Sequence, residues 1–324
     1  MQKEKTIIIG GGPCGMSCAI ELQNHGIKPL IIEKENVVNT IYNFPTHQTF
    51  FSSSEKLEIG NVPFITEKQK PVRNQALAYY RAVAERKQLR INTFEKVVEI
   101  NPGKDKIQLQ TEKNTGERLE YQADNLIIAT GYYDQPNKIG IPGEELPKVM
   151  HYFKESHPYF NKDVVVIGGK NSAVDATLEL HKAGAKVTVL YRGDTYSKSI
   201  KPWILPEFDA LVRKDIVNME FNANITKITN DQVKYSVNGE SKTIDNDFVF
   251  AMTGYKPDLK FLKKAGVTID EENGCPIFNE STMETNVEGV YVAGVVAAGY
   301  NNNKIFIENG RHHGGLIAES ITNE

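Results

Sequence analysis

The chain has 324 residues, 40% of them hydrophobic and 24% charged, with a formal net charge of −3; this is an ordinary globular composition, long enough for two domains. Without a block of like charge there is no electrostatic footprint for nucleic acid, so a small-molecule partner is expected. No apolar run reaches the ~20 residues that span a bilayer and no secretory h-region follows Met1; with only Cys14, Cys18 and Cys275, a disulfide scaffold is excluded and a reducing cytoplasm is the expected setting.

Ile7-Ile8-Ile9 predicts a buried strand that runs into Gly10-Gly11-Gly12-Pro13-Cys14-Gly15. A helix follows, with Pro13 suited to its first turn, where a missing N–H costs nothing. Gly26 ends that helix, and a second apolar strand leads to Glu33 and Lys34. A strand feeding G-x-G-x-x-G into a helix aims free N–H groups and a helix dipole at an anion. Gly10 permits the tight turn, Gly12 lets a pyrophosphate approach the backbone, and Gly15 allows helix and strand to pack closely. Glu33, 18 residues beyond Gly15, places a carboxylate where ribose hydroxyls can donate to it. With strand, glycines, helix and acid in order, the plain alternative of a ligand-free turn is the weaker reading.

Residues 37–71 are rich in aromatic, Ser, Thr and Asn residues with little periodicity, and are expected to lie over a ligand. Arg73 to Lys87 has helical spacing. Segments 96–101, 106–111 and 118–122 read as meander strands, with turns at Gly103 and Gly116, and Leu126 to Gly131 as a separate buried strand. That strand-then-Gly ending, with Thr130 before Gly131, recurs at Gly254 and Gly294. A second meander is expected between Ile225 and Phe250.

The first unit has an echo. Shifted by 158 residues, Val165 to Arg192 repeats the plan of Ile7 to Lys34, with Gly168 on Gly10 and Gly184 on Gly26. Gly168-Gly169-Lys170-Asn171-Ser172 opens its helix, and Ser172 with Asp175 forms an S-x-x-D capping signal. Lys170 replaces the middle glycine, which holds a pyrophosphate further off or adds an ammonium to it. Tyr191 takes the place of Glu33, and Arg192 follows. With no carboxylate to repel a 2′-phosphate and a guanidinium to grip one, NADPH is expected over NADH. Lys198 and Lys201 are candidates to support Arg192 or plain surface lysines.

These motifs resemble the two-dinucleotide-binding flavoproteins around thioredoxin reductase over nearly the whole chain. The resemblance rests on GGGPCG, the Ala129-Thr130-Gly131 strand end, GGKNSA, Met252 to Pro257 and Thr285 to Gly294. It implies an α/β fold of two Rossmann-like units, FAD in the first and NADPH in the second. The NADPH domain, 132–254, would be inserted into a discontinuous FAD domain, 1–131 and 255–324. Residues 45–54, 199–206 and 305–315 narrow the resemblance to the bacillithiol disulfide reductase family. That implies NADPH-dependent reduction of bacillithiol disulfide and FAD contacts from His47, and the broader family implies a homo-oligomer. Two departures stand out: no Cys-x-x-Cys is present, and Val295 stands after Gly294 where the wider family places an Asp.

Cys14 is the candidate catalytic thiol that the narrower resemblance implies. A helix N-terminus favours its thiolate, and the competing reading is a small residue filling a tight turn. Cys18 is expected in the core. His312 and His313 are candidates for proton delivery or for packing by the flavin. No metal-ligand spacing is present. Rival readings are a ferredoxin- or flavodoxin-type NADP reductase, a flavin monooxygenase suggested by His151, and a non-catalytic redox sensor.

Overall fold

The computed structural model describes residues 1–103, 106–301 and 303–323. The chain divides into two compact units, Met1–Gln135 with Lys256–Glu324, and Pro136–Tyr255.

The first unit opens with β1 (Gln2–Ile9), α1 (Pro13–Asn24) and β2 (Leu30–Ile32), followed by α2 (Asn39–Tyr42), α3 (Ser54–Leu57) and α4 (Arg73–Arg86). The strands β3 (Arg90–Asn92), β4 (Glu95–Pro102), β5 (Ile107–Lys113) and β6 (Arg118–Ile128) complete this passage. The second unit comprises β7 (Val149–Met150), β8 (Asp163–Ile167), α5 (Asn171–Lys182), β9 (Lys186–Leu190), α6 (Leu205–Arg213) and β10 (Asn218–Glu220). Its last strands are β11 (Ala223–Ile228), β12 (Gln232–Val237), β13 (Glu240–Asp245) and β14 (Phe248–Ala251). The chain then returns to the first unit as α7 (Leu259–Lys264), β15 (Val290–Val292), α8 (Ile307–Gly310) and α9 (His313–Asn323).

The first unit is built on one mixed sheet in the order β3-β2-β1-β6-β5-β4, with β15 also on β6. Segment 118–122 and the apolar run from Leu126 are a single strand rather than two. One edge of β6 pairs with β1 at 121–128; its other edge changes partner, from antiparallel β5 at 118–123 to parallel β15 at 126–128. Ile7, Ile8, Ile31, Ile127 and Val292 are fully buried in this sheet. Parallel strands covered on both faces have this continuous apolar character. Gly314 brings α9 against α1, since a Cβ there would lie 2.9 Å from Cys18 Cα. Cys18 is buried in that core.

The second unit has a parallel sheet, β10-β9-β8-β14-β7, and a separate antiparallel meander, β11-β12-β13. The expected second meander therefore gives its last strand, β14, to the parallel sheet. In α5, Ala173, Ala176 and Leu180 are all buried, the face that their spacing predicts. Among the described residues no helix is long and apolar enough to cross a membrane.

Candidate functional site

The first loop is shaped by contacts that only glycine permits. Gly10 has φ +113°, and a Cβ on it would lie 2.5 Å from the Ala129 carbonyl oxygen at the end of β6. A Cβ on Gly15 would sit 2.1 Å from the Gly10 carbonyl oxygen. Gly12 differs: a Cβ there meets nothing within 4 Å. Its lack of a side chain therefore leaves an open approach to the first turn of α1. Pro13 is in that first turn, and no side chain caps the helix. Uncapped N–H groups beside an open glycine suit a pyrophosphate.

Glu33 leaves the end of β2 and turns back under the loop. Its Oε2 accepts from Gly11 N at 2.6 Å and its Oε1 from Glu35 N at 2.9 Å. Burial raises its pKa, opposed by these two backbone donors. Each oxygen keeps a lone pair, so the carboxyl can also take ribose hydroxyls. Lys34 instead turns to Asp134, with Nζ 2.8 Å from Oδ2. Thr130 and Gly131 stand at the end of β6, Gly131 with φ +72°. His47 is exposed on the irregular segment that follows α2.

Cys14 follows Pro13 in the first turn of α1. A Cβ on either Gly294 or Gly310 would lie 3.0 Å from its Sγ, so the thiol occupies a slot walled by two glycines. Burial pushes its pKa up to about 12. Gly294 N donates to His313 Nδ1 at 3.2 Å, which fixes that nitrogen as an acceptor. Burial and neighbouring His312 lower the His313 pKa. Ser17 Oγ donates to the Arg311 carbonyl at 2.7 Å, and the Arg311 guanidinium donates to the Glu55 and Glu58 carbonyls. The segment from Gly294 to His313 is thus fastened around the start of α1. Sequence reasoning left His312 and His313 as candidates for proton delivery or for packing; the bond of His313 to Gly294 had no sequence signal.

The second loop repeats the backbone plan with different contents. Gly168 has φ +140°, and its Cβ would lie 2.5 Å from the Met252 carbonyl oxygen. Tyr191 takes the position of Glu33, and its ring lies between two glycines. A Cβ on Gly169 would be 2.4 Å from ring atom Cγ, and one on Gly193 would be 2.5 Å from Cε1. Gly193 was not anticipated, because its reason is space for a ring rather than a turn. Lys170 and Arg192 are exposed, and among the described residues neither forms an ion pair. Gly254 lies beyond β14 with φ +85°, and its carbonyl accepts from Asn137 N at 2.9 Å.

The capping expected of Ser172 does not occur. Ser172 is the second residue of α5, Lys170 is the N-cap, and no side chain caps the helix. Asn171 is committed elsewhere: its Nδ2 donates to the Ser199 carbonyl at 2.8 Å and its Oδ1 accepts from Lys201 N at 2.9 Å. Asp175 faces Lys201 Nζ at 3.6 Å. Helix and loop 199–201 are therefore tied together, leaving the α5 N-terminus open. His151 packs against Glu144, with Nε2 3.6 Å from Oε1, in the wall of this unit. Among the described residues no His/Cys/Asp/Glu group could hold a metal.

Two open helix starts beneath glycine loops, one over a carboxyl and one over an aromatic ring, define a protein that holds two dinucleotides. Residues 7–294 match the family model described as pyridine nucleotide-disulphide oxidoreductase, and the chain belongs to that family. It is an oxidoreductase that works with a flavin and a nicotinamide nucleotide. Bacilliredoxin reductase Bdr of Bacillus subtilis (strain 168) is 64% identical over 99% of this chain and 98% of its own. The solved bacillithiol disulfide reductase Bdr (YpdA) of Bacillus cereus is 62% identical, with a TM-score of 0.98 and complete coverage of both chains. Its counterpart from Staphylococcus aureus is 60% identical, with a TM-score of 0.95 over 100% of this chain and 99% of that one.

Proposed function

We propose that this protein is an FAD-containing, NADPH-dependent reductase of bacillithiol disulfide, acting in the cytoplasm as a homo-oligomer. The observation that carries the reading is the contrast beneath the two loops. Glu33 offers carboxyl oxygens for the ribose of FAD, whereas Tyr191 offers none and leaves Arg192 exposed for a 2′-phosphate. When bound, the two cofactors supply a two-electron transfer in which NADPH, a proton and the disulfide become NADP⁺ and two thiols. The chain's part is to cradle each pyrophosphate at an uncapped helix start and to hold Gly294 and Gly310 against α1. Gly10, Gly12, Pro13, Gly15, Thr130, Gly131 and Gly294 are assigned to the FAD site, with Lys34 and His47 at its margins. Gly168, Gly169, Lys170, Asn171, Ser172 and Gly254 are assigned to the NADPH site.

Cys14 has two possible parts. Its position at a helix start favours attack on the disulfide, but its resting thiol is protonated and packed between glycines. Electron delivery without Cys14 is the reading its surroundings favour. Anaerobic NADPH oxidation should be measured with bacillithiol disulfide, a bacilliredoxin mixed disulfide, thioredoxin and ferredoxin as acceptors. Turnover of bacillithiol disulfide is expected. Rapid ferredoxin reduction with no disulfide turnover sinks the proposal, and a bacilliredoxin-only response moves the acceptor to a protein. Cys14→Ala is expected to keep disulfide turnover; loss of turnover with intact flavin reduction by NADPH assigns the attack to Cys14.

A further inference from the structure

We propose that Glu95 is a positioning residue for the ribose-binding carboxyl of Glu33, an inference that rests on the FAD reading above. Glu95 is 1% exposed, and among the described residues no cation pairs with it. Its oxygens are held by neutral donors: Thr111 Oγ1 donates to Oε1 at 2.6 Å and Asn92 Nδ2 to Oε2 at 3.0 Å. The Asn92 amide also reaches Tyr121 OH at 3.2 Å, and Thr111 and Tyr121 are fully buried. A carboxyl removed from water without a cation costs folding free energy, so its retention asks for a reason.

The reason lies in what its turn encloses. Asn92 and Glu95 bracket one residue: Glu33 N donates to the Asn92 carbonyl at 2.8 Å, and Glu95 N donates to the Glu33 carbonyl at 3.0 Å. Phe94 N donates to the Glu35 carbonyl at 2.9 Å, and Phe94 adopts φ +56°, an uncommon conformation for an aromatic residue. Residues 92–95 thus fold around Glu33 from both sides, and the Glu95–Asn92 side-chain bond closes the fold. With both backbone groups of Glu33 fixed, its carboxyl has a defined origin from which to meet Gly11 N. Opening the bracket releases the main chain of Glu33 and lets the carboxyl swing from the ribose.

The test is a double-mutant cycle read in FAD affinity, from flavin fluorescence released on diluting the holoenzyme. Glu95→Ala removes both acceptor oxygens, so the closing bond is lost, whereas a Gln amide would turn its oxygen to Asn92 and its NH₂ to the Thr111 hydroxyl and keep it. Glu95→Ala is expected to weaken FAD binding about tenfold when Glu33 is present, and less than about twofold in a Glu33→Ala background. Equal loss in both backgrounds reduces Glu95 to general support of the fold and overturns the proposal, as does unchanged affinity in Glu95→Ala alone. Unchanged affinity in Glu33→Ala alone overturns the ribose reading itself, and the proposal with it. If Glu95→Ala does not yield folded holoenzyme, Asn92→Ala removes the closing donor while keeping the main-chain carbonyl and enters the same cycle with the same expected non-additivity.

Discussion

The two strand–loop–helix units differ most in the side chain that lies beneath the second glycine of each loop. A Cβ on Gly11 would approach Glu33 Cβ to 3.2 Å, whereas one on Gly169 would enter the Tyr191 ring at 2.4 Å. Neither glycine has a positive φ, so neither is demanded by backbone conformation. Each is set by the bulk of what the following strand places under it. A carboxyl keeps lone pairs for a hydroxyl, while a ring fills volume and presents a face. The same backbone can therefore hold two dinucleotides of different chemistry.

The largest expected effect separates two glycines within the first loop. Gly15→Ala drives a Cβ into the Gly10 carbonyl and is expected to cost about 3 kcal/mol or more, with loss of bound flavin, read by Tm and the flavin-to-protein absorbance ratio. Gly12→Ala meets no atom of the chain, so stability is expected to stay within about 0.5 kcal/mol while flavin retention falls. Full flavin retention in Gly12→Ala would contradict the pyrophosphate cradle.

A smaller effect tests the contrast directly. Tyr191→Glu restores to the second unit the carboxyl of the first, and is expected to shift the ratio of kcat/KM for NADPH over NADH by about tenfold towards NADH. An unmoved ratio removes Tyr191 and the missing acid from the argument about specificity.

The smallest effect concerns pH. His313 is held below its ordinary pKa by burial and by His312, so on acidification the unfolded chain takes up its proton first. The associated stability is present above about pH 6.5 and is lost as pH falls towards the folded value. His151 shifts in the same direction, so the wild type retains a second contribution. His313→Asn, whose Oδ1 can still accept from Gly294 N, is expected to show a shallower fall of Tm below about pH 6.5. Parallel Tm curves for the two proteins exclude His313 as a source of the slope.

Sequence pattern made the glycine loops and their flanking strands legible because these are local features: apolar run, glycines, helical face, second apolar run. The helix at Arg73–Arg86 was legible for the same reason. The single span of β6 was not. Its first half alternates beside an antiparallel neighbour, whereas its last residues are apolar on both faces, and the change of pattern reads as two strands. Ser172 carried a local capping signal that lost to a tertiary one, the bonds of Asn171 to loop 199–201. The Tyr191–Gly193 contact and the bracket around Glu33 depend on which chain segments lie side by side, and no residue spacing announces them.

The shared edge of β6 also sets an order of events for the growing chain. Val290–Val292 pairs with Leu126–Ile128, and the whole of Pro136–Tyr255 lies between these partners in sequence. The first sheet therefore closes a very long loop, while the inserted unit contains only its own contiguous residues. Contacts so distant form late, and domains generally fold as they emerge. A ribosome-stalled chain ending before Val290 is expected to resist protease across Pro136–Tyr255 and to release flavin. Uniform protease sensitivity would mean that the two units acquire their structure together. By this order the unit that begins first in the chain is the last to be finished.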